Sequence, residues 1–192
     1  GNFDCTRCYT RDVTKLRVAE GRAASLARIT STIADAVTPA EVFRAVVDET
    51  ASAIGAVSAA VWLVDESGKT IALRRDVGYP PEQAAQFKKA AIASSASFPA
   101  VDVVRDGRPL WIESKTALVA RYPHLAANIP ADRDYQIGCV PLRTADGVAG
   151  ALAFTFATPG VPDDEVRELV TLVGRYVGQA MGWYQAGQGA GW

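Results

Sequence analysis

The chain has 192 residues, 49% of them hydrophobic and 21% charged, with 20 basic and 21 acidic side chains. That length suits one domain with a substantial core and is short for two. A net charge of −1 without any Lys/Arg block gives no electrostatic reason to expect nucleic acid or anionic lipid as a partner.

Residues 1–13 read as an irregular tail or linker. They are polar and charged, unlike a signal peptide. No apolar run approaches the ~20 residues that span a bilayer, so a cytoplasmic location is expected, with no membrane contact by this segment. Cys5 and Cys8 form a C-x-x-C pair, which chemically is half of a four-thiolate zinc site or a redox pair. The second half is absent, and the simpler reading is a severed piece of an upstream region.

Residues 14–186 read as one domain. A first helix is expected over 14–37, where Leu16, Ala19, Ala23, Leu26, Thr30, Ile33 and Val37 recur in steps of three and four. Thr38-Pro39-Ala40-Glu41 then opens a second helix, with Thr as cap, Pro at the first position and Glu three residues after the cap. Gly55 ends it.

Val57 to Asp65 and Thr70 to Val77 are two strands joined by Glu66-Ser67-Gly68. Pro80 and Pro81 break the second strand and start a helix over about 82–93, followed by a small-residue hinge at 94–97. A short helix over 101–105 ends at Asp106-Gly107. Pro109 to Ile112 forms a short strand. A helical crossover over 115–127 is broken at Pro123.

Tyr135 to Arg143 and Val148 to Phe156 are apolar runs around an Asp146-Gly147 turn, which is a hairpin signature. Both runs are nearly all apolar, so both faces of their sheet are covered. Acidic residues at 163–165 open a last helix to about Tyr184. Residues 187–192 are a flexible end. The last helix carries two apolar seams. One is Val166, Val170, Val173, Val177, Ala180 and Tyr184; the other is Leu169, Leu172, Tyr176 and Trp183. A helix apolar on two sides must bury both. One side is expected on the sheet and the other on a second subunit, with Val173 and Val177 at a parallel homodimer contact.

The element order and the segments AVSAAVWLVDESGKTIALRRDVGYP, VVRDGRPLWIES and CVPLRTADGVAGALAF resemble a GAF domain, the ligand-sensing module of many signalling proteins. The resemblance covers about residues 25–184. It implies an α+β, GAF/PAS-like fold: about six strands in a mostly antiparallel sheet, terminal helices on one face and crossover helices on the other. It further implies a regulatory small-molecule sensor and dimerisation module, as in a sensor histidine kinase of a two-component system. The alternatives are a thiol-dependent small-molecule reductase on the same fold, or a degenerate domain that only dimerises.

The motifs specify the fold and not the ligand. No Asn-Lys pair occurs, against the cyclic-nucleotide signature of the family. No Cys precedes a His, against a bilin attachment. His124 is the one histidine and reads as a solvated helix residue rather than a haem ligand. The sequence leaves the identity of any cofactor unknown.

Catalytic constellations are missing too. There is no G-x-S-x-G elbow and no phosphate loop, and Gly174-x-x-x-Gly178 lies inside a helix. Asp102, Asp106, Asp132 and Asp134 match no metal-loop spacing. The chain is therefore expected not to be an enzyme.

The covering layer over 80–130 is rich in small residues and contains four prolines from Pro80 to Pro109. Such a layer packs loosely and leaves room for a cavity. Trp62, Phe98, Val101, Trp111, Tyr122, Tyr135 and Cys139 either wall that cavity for an unidentified small-molecule ligand or fill the core. Arg74, Arg75, Arg105, Arg108 and Arg143 are either surface charges or inward partners for an anion.

Overall fold

A computed structural model describes residues 24, 27, 28, 31, 38–89, 92–129, 134–157, 160 and 162–188. Of the helix expected over 14–37, four residues (Ala24, Ala27, Arg28 and Ser31) are described, all helical. The seam from Leu16 to Val37, the tail, and the Cys5/Cys8 pair lie outside the described residues.

Helix α1 spans Pro39–Ile54. The Thr38 hydroxyl accepts from the Glu41 amide, and the Glu41 carboxylate accepts from the Thr38 amide at 3.0 Å. This reciprocal box satisfies two amides that the first turn leaves without a partner. Gly55, at φ +67°, closes the helix in the left-handed conformation glycine adopts without strain.

Strands β1 (Ser58–Val64) and β2 (Thr70–Val77) form the first hairpin. Its turn is held by Asp65, whose carboxylate accepts from the Ser67 hydroxyl and the Lys69 and Thr70 amides. The pairing Val61↔Arg75 followed by Trp62↔Leu73 leaves Arg74 as an extra residue in a bulge.

Helix α2 (Pro81–Lys89) and a two-residue edge strand β3 (Ile92–Ala93) follow. The expected helix over 82–93 therefore ends early, because Thr70 and Ile71 offer a free sheet edge that residues 92 and 93 pair with. Helix α3 (Pro99–Asp106), strand β4 (Leu110–Ile112) and helix α4 (Lys115–Arg121) come next. The chain then breaks at Pro123 into a 3₁₀ turn, Pro123–Asn128, as the proline requires.

Strands β5 (Gln136–Thr144) and β6 (Gly147–Phe156) make the last hairpin, and helix α5 runs from Asp164 to Gln188, four residues past Tyr184, so that residues 187 and 188, expected in a flexible end, continue the helix. All six strands join one antiparallel sheet in the order β3-β2-β1-β6-β5-β4.

Helices α1 and α5 cover one face. Their core includes Val46, Val47, Val140, Leu152, Phe154, Val170, Val173 and Val177. Helices α2 and α3 cover the other face over Ala60, Trp62, Ile71, Cys139 and Ala151. Terminal helices on one face and crossovers on the other is the expected architecture.

One expectation fails. Val173 and Val177 are wholly buried against the sheet and are not a subunit contact; Tyr176 is 37% exposed instead. The adjacent glycines explain the helix rotation. A Cβ on Gly178 would fall 2.1 Å from the Arg143 carbonyl oxygen, and one on Gly174 would fall 2.9 Å from Val140 Cγ2. The glycine side is where α5 touches β5, and Val173 and Val177 flank it.

Candidate functional site

A cavity of about 240 Å³ lies between the sheet and the crossover layer. Strand alternation decides which side chains reach it. Ser58, Ala60 and Trp62 share the crossover face of β1, and Ala153 and Thr155 share that of β6. Ser58 stands directly opposite Thr155 in the ladder, so the two hydroxyls are neighbours on the cavity floor.

The aromatic wall is one mutually packed group. Trp62 meets Phe87 and Phe98 edge-on, with centroids 5.2 and 5.1 Å apart. Phe87 meets Phe98 at 5.8 Å, and Tyr79 leans on Phe87 at 6.2 Å. Burial is the main force that pushes the Tyr79 phenol well above its ordinary pKa, so it stays a neutral hydroxyl. Leu118, Leu125 and Ile129 form the opposite wall, and Tyr135 and Ile137 complete it from β5 and the residue before it.

Three of the seven sequence-predicted wall residues line the cavity: Trp62, Phe98 and Tyr135. The other four do not. Val101 is buried inside α3 as core. Cys139 is buried under the sheet's crossover face, and desolvation pushes its thiol far up, the reverse of a nucleophilic cysteine.

Trp111 lies on the other side of the sheet. Because β4 pairs Leu110 with Cys139 and Trp111 with Gly138, alternation sends Trp111 to the α5 face. Its ring covers Gly138, where a Cβ would be 2.3 Å from Cζ3, and the Arg167 guanidinium sits 5.5 Å above it.

Tyr122 is also buried, and its hydroxyl donates to Asp102 Oδ2 at 2.7 Å. Tyr79 and Phe87 were missed by sequence. Phe87 stands three residues after Ala84 on a helix otherwise polar, an apolar pair that marks the buried side.

None of the candidate arginines lines the cavity. Arg75 donates to Asp48 at 2.9 Å, and Arg143 donates to the Gly107 carbonyl. Arg105 pairs with Asp102 and Asp106, while Arg74 and Arg108 are exposed. His124 is exposed. Among the described residues no three His, Cys, Asp or Glu side chains gather as a metal site, and no helix is long and apolar enough to cross a membrane.

Asp102 ties α3, which carries Phe98, Pro99 and Ala100 at its start, to α4, which carries Leu118. Burial raises its pKa, but hydrogen bonds from Tyr122, Arg121 (2.9 Å) and Arg105 (2.8 Å) outweigh that and hold the carboxyl below its usual range. A depressed carboxylate stabilises fully above its unfolded value near ~4 and loses that contribution as pH falls through the lower folded value. Asp102→Ala should cost about 2–3 kcal/mol at pH 7, because it orphans the buried Tyr122 hydroxyl. Asp102→Asn should cost less and flatten the decline of melting temperature below pH 4. Unchanged acid sensitivity in Asp102→Asn would contradict this assignment.

Residues 36–182 match the GAF domain family. The chain is similar in structure to the GAF domain of an Acinetobacter phosphoenolpyruvate-protein phosphotransferase, at 16% identity and a TM-score of 0.71, covering 88% of this chain and 96% of that one. The GAF domain of the Coxiella burnetii phosphoenolpyruvate-protein phosphotransferase gives 14% identity and a TM-score of 0.71, covering 90% and 99%. The GAF domain of a putative sensor histidine kinase from Pseudomonas syringae pv. tomato gives 14% and 0.64, covering 93% and 97%. No curated protein matches the chain. With its six-stranded antiparallel sheet, its helix layers in the expected places and a family match over most of its length, this chain belongs to the GAF domain family.

Proposed function

We propose that this chain is the regulatory sensing module of a cytoplasmic signalling protein such as a sensor histidine kinase. It binds a small molecule in the cavity, carries out no chemistry on it, and homodimerises through its terminal helices. The observation that carries the reading is the cavity of about 240 Å³ with an aromatic wall and a hydroxyl-bearing floor. The buried, protonated Cys139 thiol supports binding over thiol-dependent turnover. The similar domains from a phosphotransferase and a putative sensor kinase support a regulatory setting. On the face of α5 away from the sheet, half-buried Leu172 and exposed Tyr176 lie one turn apart and supply an apolar strip for a second subunit.

Native mass spectrometry of the full chain tests both parts. It should show a dimer and a retained or added small molecule. Tyr176→Asp should give a monomer in sedimentation with the circular dichroism melt unchanged. A wild type that is monomeric at high concentration removes the dimer. A cavity that retains nothing and accepts nothing removes the sensor.

A further inference from the structure

The cavity wall carries a chemistry of its own. None of its described lining side chains is charged. An anionic ligand needs a basic partner in a mostly apolar site, and a cationic one is held best by a carboxylate. Neither a basic side chain nor a carboxylate is among the described lining residues. The rings of Trp62, Phe87 and Phe98 pack edge to face on one another, at interplanar angles of 66–75°. A further flat ring extends that herringbone, and a rounded ammonium does not.

Size sets the next limit. A cavity of about 150 Å³ holds one benzene ring. At about 240 Å³ this one has room for one or two fused rings and is small for a nucleotide.

The floor supplies direction. Ser58 is 6% exposed, lines the cavity, and its hydroxyl has no hydrogen-bonding partner among the described residues. Thr155, directly opposite in the ladder, also presents a hydroxyl without such a partner. A ligand N–H or O–H that reaches this pair gains a directed hydrogen bond in a site lined mostly by apolar side chains.

Building on the sensor reading, we propose that the ligand is a small neutral planar aromatic molecule of one or two rings. Its ring lies against Trp62, Phe87 and Phe98, and a polar N–H or O–H on its edge meets the Ser58 and Thr155 hydroxyls. Leu118 and Ile129 close over the opposite ring face, which excludes water from the contact.

Titration calorimetry on the full chain tests this with three probes: indole, 4-hydroxybenzoate and choline, which are neutral, anionic and cationic. Indole should bind and the two ions should not. Ser58→Ala should weaken indole about 5- to 10-fold. Thr155→Val, which keeps the side-chain shape, should weaken it too. Ala153→Leu narrows the cavity and should abolish the binding.

If 4-hydroxybenzoate or choline binds, is blocked in Ala153→Leu, and indole does not bind, the cavity is a sensor site and the neutral-aromatic assignment is wrong. Indole binding that both hydroxyl variants leave unchanged overturns the assigned orientation. If no probe binds and native mass spectrometry finds nothing retained, the sensor reading fails together with this one.

Discussion

Val177→Asp should leave no folded domain at 25 °C. Val177 is fully buried between α5 and the sheet, beside Val173 and Val170. The substitution removes apolar burial and places a carboxylate at a fully buried position of an apolar cluster. The penalty for burying an unpaired ion is several kcal/mol even after relaxation. Total stability is on the order of 5–15 kcal/mol, so one such change consumes most of it. Urea unfolding followed by circular dichroism is the measurement. A cooperative transition near that of the wild type would show that α5 is rotated differently from the arrangement described. Tyr176→Asp, one residue away on the outer side, is the matched control and should change stability by less than about 1 kcal/mol.

Gly178→Ala should destabilise by roughly 2–4 kcal/mol, although alanine is the better helix former by about 1 kcal/mol. The new methyl would lie 2.1 Å from the Arg143 oxygen and 2.6 Å from its carbon and nitrogen. All three atoms belong to the β5 backbone, so neither side can turn a side chain aside; helix or strand must move. At Gly174 the nearest atom is a valine methyl at 2.9 Å and the nearest backbone atom is the Pro141 oxygen at 3.2 Å, a milder overlap. Gly174→Ala should therefore cost clearly less. Melting temperatures should separate the two by several degrees. Equal losses would mean that the glycines serve helix flexibility and not close approach.

The elements were legible because their punctuation is local. Thr38-Pro39-Ala40-Glu41, Glu66-Ser67-Gly68, Pro123 and Asp146-Gly147 each fix a boundary through chemistry that needs only three or four residues. The edge strand at Ile92–Ala93 was not legible, since two residues become a strand only by meeting β2.

The cavity's location was readable from the broken, small-residue layer over 80–130, but its membership depended on strand register. Trp111 and Cys139 were expected on one wall. The pairing of Trp111 with Gly138 puts them on opposite faces, and a one-residue slip would have reversed that. Gly138 was the available hint, because a residue without a side chain opposite a tryptophan gives the ring somewhere to lie. The rotation of α5 carried a similar hint. Two glycines one turn apart mark the side of closest approach, which identifies the Val170, Val173 and Val177 stripe as the sheet side and Tyr176 as the outer one.

The Ser58–Thr155 pair has a mechanical position as well as a chemical one. Four strand-ward steps before Ser58, α1 ends at Ile54; just after Thr155, β6 ends at Phe156 and the chain leads into α5. The Val57 amide donates to the Thr155 carbonyl at 2.8 Å, clasping the two junctions together. From there the helices run in opposite chain directions along the same face, α1 alone being about 24 Å long at 1.5 Å per residue. A molecule on the cavity floor therefore sits beside both junctions through which the terminal helices join the sheet, the place where its binding reaches α1 and α5 by the shortest path.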